Sequence, residues 1–184
     1  MREFASAGLT GSLLIAHPEL RDPNFVKTVL FIAAHTPKDG AIGLVLNRPT
    51  DRRVADLLPG QDLGPLTQLP VFFGGPVETE QLIFAAFCRD PKTGSLQGYH
   101  HLGLEEAQAL LETSQSVVRA YVGYSGWSKG QLEGELSQKA WLVGKPGSDV
   151  LSEKRCGLLW RDSVSGFGPW FRLVAEAPED LSLS

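Results

Sequence analysis

The chain has 184 residues, of which 42% are hydrophobic and 21% charged, an ordinary composition for a globular protein that can bury a substantial core. Its net charge of −4 argues against a dedicated nucleic-acid-binding protein, which needs a basic surface. No apolar run approaches the roughly 18 residues of a membrane span, and the N-terminus, with Arg2, Glu3 and the short apolar run Leu13–Ala16, predicts no export signal.

The two cysteines, Cys88 and Cys156, are far apart and have no companions at the spacing of a metal site. In a chain without an export signal, isolated cysteines are typical of reduced thiols. We therefore expect a cytoplasmic protein with no structural metal, no cofactor and no membrane association. The length predicts one compact α/β domain, either undivided or built from two intimately packed lobes.

The first half of the chain predicts a buried β-hairpin. Leu9–Ala16 is a candidate first strand, which ends at His17 because proline follows. Val29–Ala34 and Ala41–Leu46 are continuously apolar, as expected of strands buried on both faces. The connecting residues His35–Gly40 are too few for a crossover and contain turn-forming Pro and Asp-Gly, so we expect the two strands to pair antiparallel.

Beyond the hairpin, strands and helices alternate irregularly. Asn47-Arg48-Pro49 is expected to leave the sheet, and residues 59–70 are rich in Gly and Pro and predict an exposed loop. The acidic run Glu78–Glu80 suits the first turn of a short helix. The remaining predicted elements are a helical turn at Val54–Leu58, strands at Val71–Phe73, Leu82–Phe87 and Leu96–Leu102 (an edge strand), and helices at Leu104–Thr113 and from Ser148 or Asp149 to about Arg161.

The most distinctive stretch is Tyr121–Leu142. It predicts a strand, a glycine turn at Gly123–Gly126, a helix with Ser128 and Gln131 as a capping box, and a further strand. Glu135 is expected to pair with Lys139 one helical turn later. Taken together, the elements predict a mixed α/β fold, in which a central mixed, largely antiparallel sheet is flanked by helices in a layered sandwich.

Several groupings contain the residue types of reactive sites. Gly-Tyr-Ser125-Gly-Trp127 differs from the nucleophile elbow Gly-x-Ser-x-Gly at its last position, and every histidine precedes Ser125, which excludes the hydrolase order Ser–acid–His. Gly74-Gly75-Pro76 forms either an anion-binding nest or a tight exit from a strand. His17 and His35 each follow an apolar strand, so we expect them near one sheet end, as metal ligands or bonded to backbone. His100 and His101 are expected on opposite faces of a strand.

Three runs occur in order along the chain: Asp39–Pro49 (DGAIGLVLNRP), Gly74–Val77 (GGPV), and Gly123–Trp127 (GYSGW) followed by Gly130–Glu133 and Trp141–Leu142. The opening Gly11–Ile15, with Pro18, Asp22 and Phe25, fits the same pattern. This pattern resembles the AlgH/YqgE family of bacterial proteins, over roughly residues 9–175. We call the three runs the first, second and third motif.

The resemblance implies a cytoplasmic bacterial protein with a compact α/β fold and no established catalytic mechanism. The family name derives from a proposed regulatory role in alginate synthesis, so an indirect role in transcriptional regulation is implied by resemblance only. Many relatives carry His near the position of Ala86 and Ala at that of Ser125. The first difference removes a polar candidate, and the second argues against Ser125 as an essential nucleophile.

Two hypotheses of function follow. We favour a non-enzymatic binding or regulatory module that presents its glycine turns to a protein or a small-molecule ligand, without direct nucleic-acid binding. The alternative is an enzyme of unknown reaction. A deep cleft with converging polar groups would favour the enzyme, whereas motifs that only support the sheet would favour the module. No residue is assigned as catalytic, and the candidate binding residues are Asn47, Arg48, Gly74, Gly75, Pro76, Ser125, Trp127 and Gln131.

Overall fold

A computed structural model describes residues 8–113 and 115–177 of the chain. Arg2 and Glu3, on which the predicted absence of an export signal partly rests, lie outside these ranges. The elements are β1 (Leu13–Ala16), β2 (Val29–Thr36), β3 (Gly40–Val45), β4 (Pro49–Arg53), α1 (Val54–Leu57), β5 (Pro70–Phe73), β6 (Val77–Arg89), β7 (Leu96–Leu102), α2 (Leu104–Leu111), β8 (Ser116–Trp127), α3 (Gln131–Ser137), β9 (Trp141–Gly144), α4 (Cys156–Ser165) and α5 (Pro169–Glu176).

The strands form one nine-stranded sheet in the order β4-β5-β8-β3-β2-β1-β9, and β6 pairs with both β8 and β7 beside this path. Every pairing is antiparallel except that of β5 with β8. The predicted mixed, largely antiparallel sheet with flanking helices is therefore confirmed. The long strand β8 belongs to both parts of the sheet, since it pairs with β5 and β6 along most of its length and with β3 at its end.

The predicted hairpin is also confirmed. β2 and β3 pair antiparallel, with Phe31 opposite Leu44 and Thr36 opposite Gly40. Phe31 is 0% exposed and Leu44 is 1% exposed, because helices and the β6–β7 hairpin cover this part of the sheet. Continuous burial explains why both strands read as unbroken apolar runs.

Two hydrophobic clusters stabilise the fold on different parts of the sheet. The larger one joins β1, β2 and β3 to α3 and α4, and the smaller one lies between β5, β6 and β8 and the helices α1 and α2. Leu63 and Leu66 are buried in the smaller cluster, so the prediction that residues 59–70 form a wholly exposed loop is wrong. The leucine side chains of this loop pack against the smaller cluster beside α2, which the Gly and Pro content of the loop did not indicate.

The predicted glycine turn at Gly123–Gly126 is wrong, because β8 continues through both glycines to Trp127. Gly123 has a φ of +69°, which distorts the strand locally without ending it. The helix α3 begins at Gln131, and its N-cap is Gly130, with a φ of +76°. Ser128 is therefore not the N-cap; instead, the Gln131 side-chain oxygen accepts from the Ser128 N–H at 3.0 Å.

Three further predictions are corrected. Pro49–Arg53 does not leave the sheet but forms the edge strand β4, where proline and charged side chains are tolerated because one side faces solvent. Glu78–Glu80 belongs to β6 and not to a helix, since it lies between Val77 and Leu82, which pair with Tyr124 and Val122 of β8, and Glu78 has a φ of +53°. The helix expected from Ser148 or Asp149 begins later, as a 3₁₀ turn at Glu153–Arg155 followed by α4.

None of the helices formed by the described residues combines the length and the apolar character that crossing a membrane requires.

Candidate functional site

The second and third motifs meet where the chain crosses over β8. β5 lies parallel to β8 on one side, with Phe73 opposite Val122, and β6 lies antiparallel to it on the other, with Val77 opposite Tyr124. The connection Gly74–Pro76 must therefore pass from one side of β8 to the other. We call this place the glycine crossing, formed by Gly74, Gly75 and Gly123.

At the glycine crossing, two backbones lie in direct contact, so side chains have no room. A Cβ added to Gly74 or to Gly123 would lie closer than 3.0 Å to a backbone oxygen of the other segment. A Cβ added to Gly75 would overlap the main chain of Tyr124. Real Cβ atoms essentially never come within 3.0 Å of such atoms. The glycines are thus required by the close approach of two segments that are distant in sequence.

Hydrogen bonds fix the glycine crossing from within. The Gly74 N–H donates to the Val122 carbonyl at 3.0 Å, and the Gly74 carbonyl accepts from the Val45 N–H at 3.0 Å. The same carbonyl accepts from the Ser125 hydroxyl at 3.0 Å, and Ser125 is 0% exposed. All three motifs therefore meet here, because Val45 belongs to the first, Gly74 to the second and Ser125 to the third.

Asn47 and Arg48 of the first motif hold the loop between β1 and β2. The Asn47 side chain accepts from the Val29 N–H at 2.9 Å and donates to the Lys27 carbonyl at 3.0 Å. The Arg48 guanidinium donates to carbonyl oxygens of Pro23, Asn24 and Val26. Burial lowers the pKa of Arg48, and the nearby negative charge of Asp22 raises it to a smaller extent. Both side chains thus satisfy backbone groups of this loop.

Trp127 and Gln131 of the third motif belong to a network centred on Glu135. One Glu135 carboxylate oxygen accepts both indole N–H groups, from Trp127 at 2.9 Å and from Trp141 at 2.8 Å. The other accepts from the Gln131 amide at 3.1 Å. Phe25, on the loop that Arg48 holds, stacks on Trp127 with ring centroids 6.4 Å apart. The predicted pair of Glu135 with Lys139 is wrong, because the indoles need the carboxylate.

Sequence reasoning missed Glu135 and Arg119 as key polar residues. A signal for Glu135 was available, since buried tryptophans need an acceptor and this carboxylate lies between Trp127 and Trp141 in the sequence. Arg119 gave no signal, because it stands in an apolar strand. It is 3% exposed, and its guanidinium donates to the carbonyls of Leu46 and Leu151 at 2.8 and 2.7 Å.

The histidines do not lie as predicted. His17 and His35 lie at opposite ends of the sheet, because β1 and β2 are antiparallel. The His35 ring accepts from the Leu9 N–H at 3.0 Å and contacts Glu133 at 2.9 Å. His100 and His101 do not point to opposite faces: a φ of +57° at His101 brings their Nδ1 atoms to 2.6 Å.

No group of three or more His, Cys, Asp or Glu side chains among residues 8–113 and 115–177 is placed to hold a metal ion. Burial, and secondly the neighbouring His101, lowers the pKa of His100. Burial also raises the pKa of the Cys156 thiol, which makes it a poor nucleophile.

Four surface cavities of about 740, 610, 490 and 380 Å³ lie elsewhere. Of the eight candidate binding residues, Asn47 alone contributes to the walls of these four cavities, at the smallest, beside Lys27 and Trp160. Pro76 is exposed, but Gly74, Gly75 and Ser125 are buried. The structure therefore brings the motifs together around a backbone contact and not around one of these cavities.

The comparisons with known proteins agree with the motifs. The AlgH-like family model matches residues 13–172. A UPF0301 protein of Streptomyces coelicolor is 35% identical, and the alignment covers 100% of this chain and 98% of that protein. A UPF0301 protein of Pseudomonas fluorescens is 37% identical, with 82% of this chain and 84% of the relative covered.

Solved structures share the architecture. The solution structure of the AlgH protein from Pseudomonas aeruginosa is similar with a TM-score of 0.66 and 26% identity, over 97% of this chain and 98% of that one. The crystal structure of a protein from Corynebacterium diphtheriae gives a TM-score of 0.67 at 18% identity, over 91% and 92%, which shows a common fold. The ordered motifs, the family model and these relatives together show that the chain belongs to the AlgH-like family.

Proposed function

We propose that this protein is a non-enzymatic binding or regulatory module, and that the three motifs are the framework of its fold. The observation that carries this proposal is that the polar groups of the motifs bond to one another and to nearby backbone. Ser125 is the clearest case, because its side chain is fully buried and its hydroxyl donates to a carbonyl oxygen. A nucleophilic serine needs a base within hydrogen-bond reach and access for a substrate.

We propose a protein or a small molecule as the ligand, in the cytoplasm. The net charge of −4 opposes direct binding to nucleic acid, so a regulatory effect on transcription would be exerted through another bound molecule. Cys88 and Cys156 are free thiols, which suits a reducing compartment. Cell fractionation that recovers the protein outside the cytoplasm would contradict this location.

The test of the proposal is the variant Ser125→Ala. We expect the free energy of unfolding of this variant to stay within about 1.5 kcal/mol of the parent, because one neutral hydrogen bond contributes about 0.5–1.5 kcal/mol. The Gly74 carbonyl does not lose its last partner, since it still accepts a hydrogen bond from the Val45 N–H. A fluorophosphonate probe should leave the folded parent unlabelled. Thermal melts and mass spectrometry check the two results, with exposed Ser137→Ala as the matched control. Stoichiometric labelling of the parent that disappears only in Ser125→Ala would overturn the proposal and favour an enzyme.

A further inference from the structure

The strand β7 has one edge with which no described strand pairs. It pairs with β6 alone, and the loop hydrogen bonds of the described ranges include none to main-chain atoms of Leu96–Leu102. The backbone N–H and C=O groups along this edge therefore have no partner from the described part of the chain. Such a row of groups is a template on which another extended segment can add as a strand.

The other two sheet edges carry features that prevent such pairing, whereas in β7 such a feature, the irregular register at His100–His101 with a positive φ at His101, is confined to the C-terminal part of the strand. The edge strand β4 contains Pro49 and three charged residues, and the edge strand β9 has only 4 residues. β7 has 7 residues and contains no proline, acidic residue, lysine or arginine. Natural proteins shield exposed edges with charges, proline or short length. The regular stretch Leu96–Tyr99, which lacks this shielding, is explained if a partner segment uses it.

The first of the four surface cavities given above runs along this edge. It has a volume of about 740 Å³, and the consecutive residues Leu96–Tyr99 line it. Because successive side chains of a strand point to opposite faces, a cavity bordered by consecutive residues borders the edge of the strand itself. The opposite wall consists of Thr10–Ser12 and Lys145–Pro146.

A second cavity of about 610 Å³ shares Leu96 and Gln97 with the first and extends to Leu151. The Arg89 guanidinium lines the second cavity and donates to the carbonyls of Gly94 and Gly147. The second cavity lies where β6 ends and β7 and β8 begin, so we call the first cavity, which borders the strand edge, the groove. The four strand residues Leu96–Tyr99 that line the groove span roughly 13 Å at about 3.3 Å per residue, so the groove suits a short extended segment.

The chemistry of the groove favours an acidic segment. Among the described residues, Lys145 is the one charged residue that lines the first cavity. The other polar groups there are hydroxyls and an amide, which accept or donate hydrogen bonds without a charge preference. Tyr99, 53% exposed, stands at one end of the lining stretch and offers an aromatic surface. The groove therefore offers main-chain groups for strand pairing along β7 and a cation, Lys145, that can bind a carboxylate of the segment.

We propose that an extended, acidic peptide segment of a partner protein binds by adding as a strand to the free edge of β7, with a carboxylate beside Lys145. This proposal rests on the proposed function as a binding module and names its partner class. Main-chain hydrogen bonds supply affinity in this mode, and flanking pockets supply the choice of sequence.

The test uses synthetic peptides, selected on the full-length protein from a random twelve-residue phage library. Fluorescence polarisation measures their affinity for the parent, for Lys145→Glu and for the matched control Lys154→Glu, whose side chain is exposed outside both cavities. We expect enriched acidic peptides, at least tenfold weaker binding to Lys145→Glu, and unchanged binding to Lys154→Glu. We also expect N-methylation of alternate peptide amides to weaken binding at least tenfold, and bound peptide to slow amide exchange in Leu96–Tyr99 at least tenfold.

A selection without enriched peptides would overturn the proposal, as would peptides that bind Lys145→Glu as tightly as the parent or leave β7 exchange unchanged. Sedimentation equilibrium tests whether a second copy of this chain binds the edge of β7. A dimer of the parent that is lost in Tyr99→Lys would assign the edge to self-association and overturn the peptide proposal. None of these outcomes changes the expected result of the fluorophosphonate test, in which Ser125 stays unlabelled. Failure of the peptide proposal is therefore distinguishable from failure of the proposed function.

Discussion

Gly75→Ala is expected to destabilise the fold by about 2–5 kcal/mol, from overpacking of about 1–3 kcal/mol and backbone strain of about 1–2 kcal/mol. The new Cβ would overlap the main chain of Tyr124 and the hydroxyl of Ser125. Gly75 also has a φ of +151°, which L-residues rarely adopt. The backbone of β8 cannot yield without disturbing its pairing with β5 and β6. Urea unfolding of the variant measures the loss.

The matched control for this variant is Gly130→Ala. Gly130 has a φ of +76°, but a Cβ there meets nothing within 4 Å. The control therefore isolates backbone strain, which costs about 1–2 kcal/mol. If Gly75→Ala were no more destabilising than Gly130→Ala, close contact at the glycine crossing would not be what requires the glycine.

Trp127→Ala is expected to cost about 3–5 kcal/mol, the usual loss for a large buried aromatic side chain. Trp127 is 5% exposed, stacks on Phe25 and packs edge-on against Trp141. Its ring also lies over Gly43, where an added Cβ would be 3.0 Å away. Removing the ring leaves a cavity between β3, β8 and α3 and takes one of three donors from Glu135.

Trp170→Ala is the matched control, because Trp170 is 49% exposed on α5. Surface substitutions usually change stability by less than about 0.5 kcal/mol, and the ring contacts of Trp170 with His17 and Phe171 add only a modest loss. Chemical denaturation followed by circular dichroism compares both variants with the parent. Equal losses in the two variants would contradict the central position of Trp127 in the core.

The β2–β3 hairpin was predictable because its determinants are local. Two apolar runs and a short Pro- and Asp-Gly-containing turn specify both the strands and their pairing. The same holds for the helix α2 and for the strand β7. β4 was not predictable, since its Pro49 and charged side chains are acceptable only at a sheet edge, which depends on the tertiary arrangement.

The glycine crossing was not predictable either, although its residues were singled out. Gly123 looked like a turn residue because a positive φ usually marks a turn. The positive φ of Gly123 arises because Gly74–Pro76, about 50 residues earlier in the chain, passes over β8. No local sequence pattern encodes such a contact. For the same reason Ser125 resembled part of a catalytic motif, whereas its hydroxyl bonds to the Gly74 carbonyl.

Native-state hydrogen exchange at Gly74 tests the central claim, that the three motifs form a structural framework, most directly. The Gly74 N–H donates to Val122 across the glycine crossing, and the Leu46 N–H donates to Val29 in the core hairpin. Core amides exchange only through global unfolding, whereas binding loops open locally. We predict that Gly74 exchanges as slowly as Leu46, with the same dependence on urea. Fast, urea-independent exchange of Gly74 while Leu46 stays protected would contradict the claim.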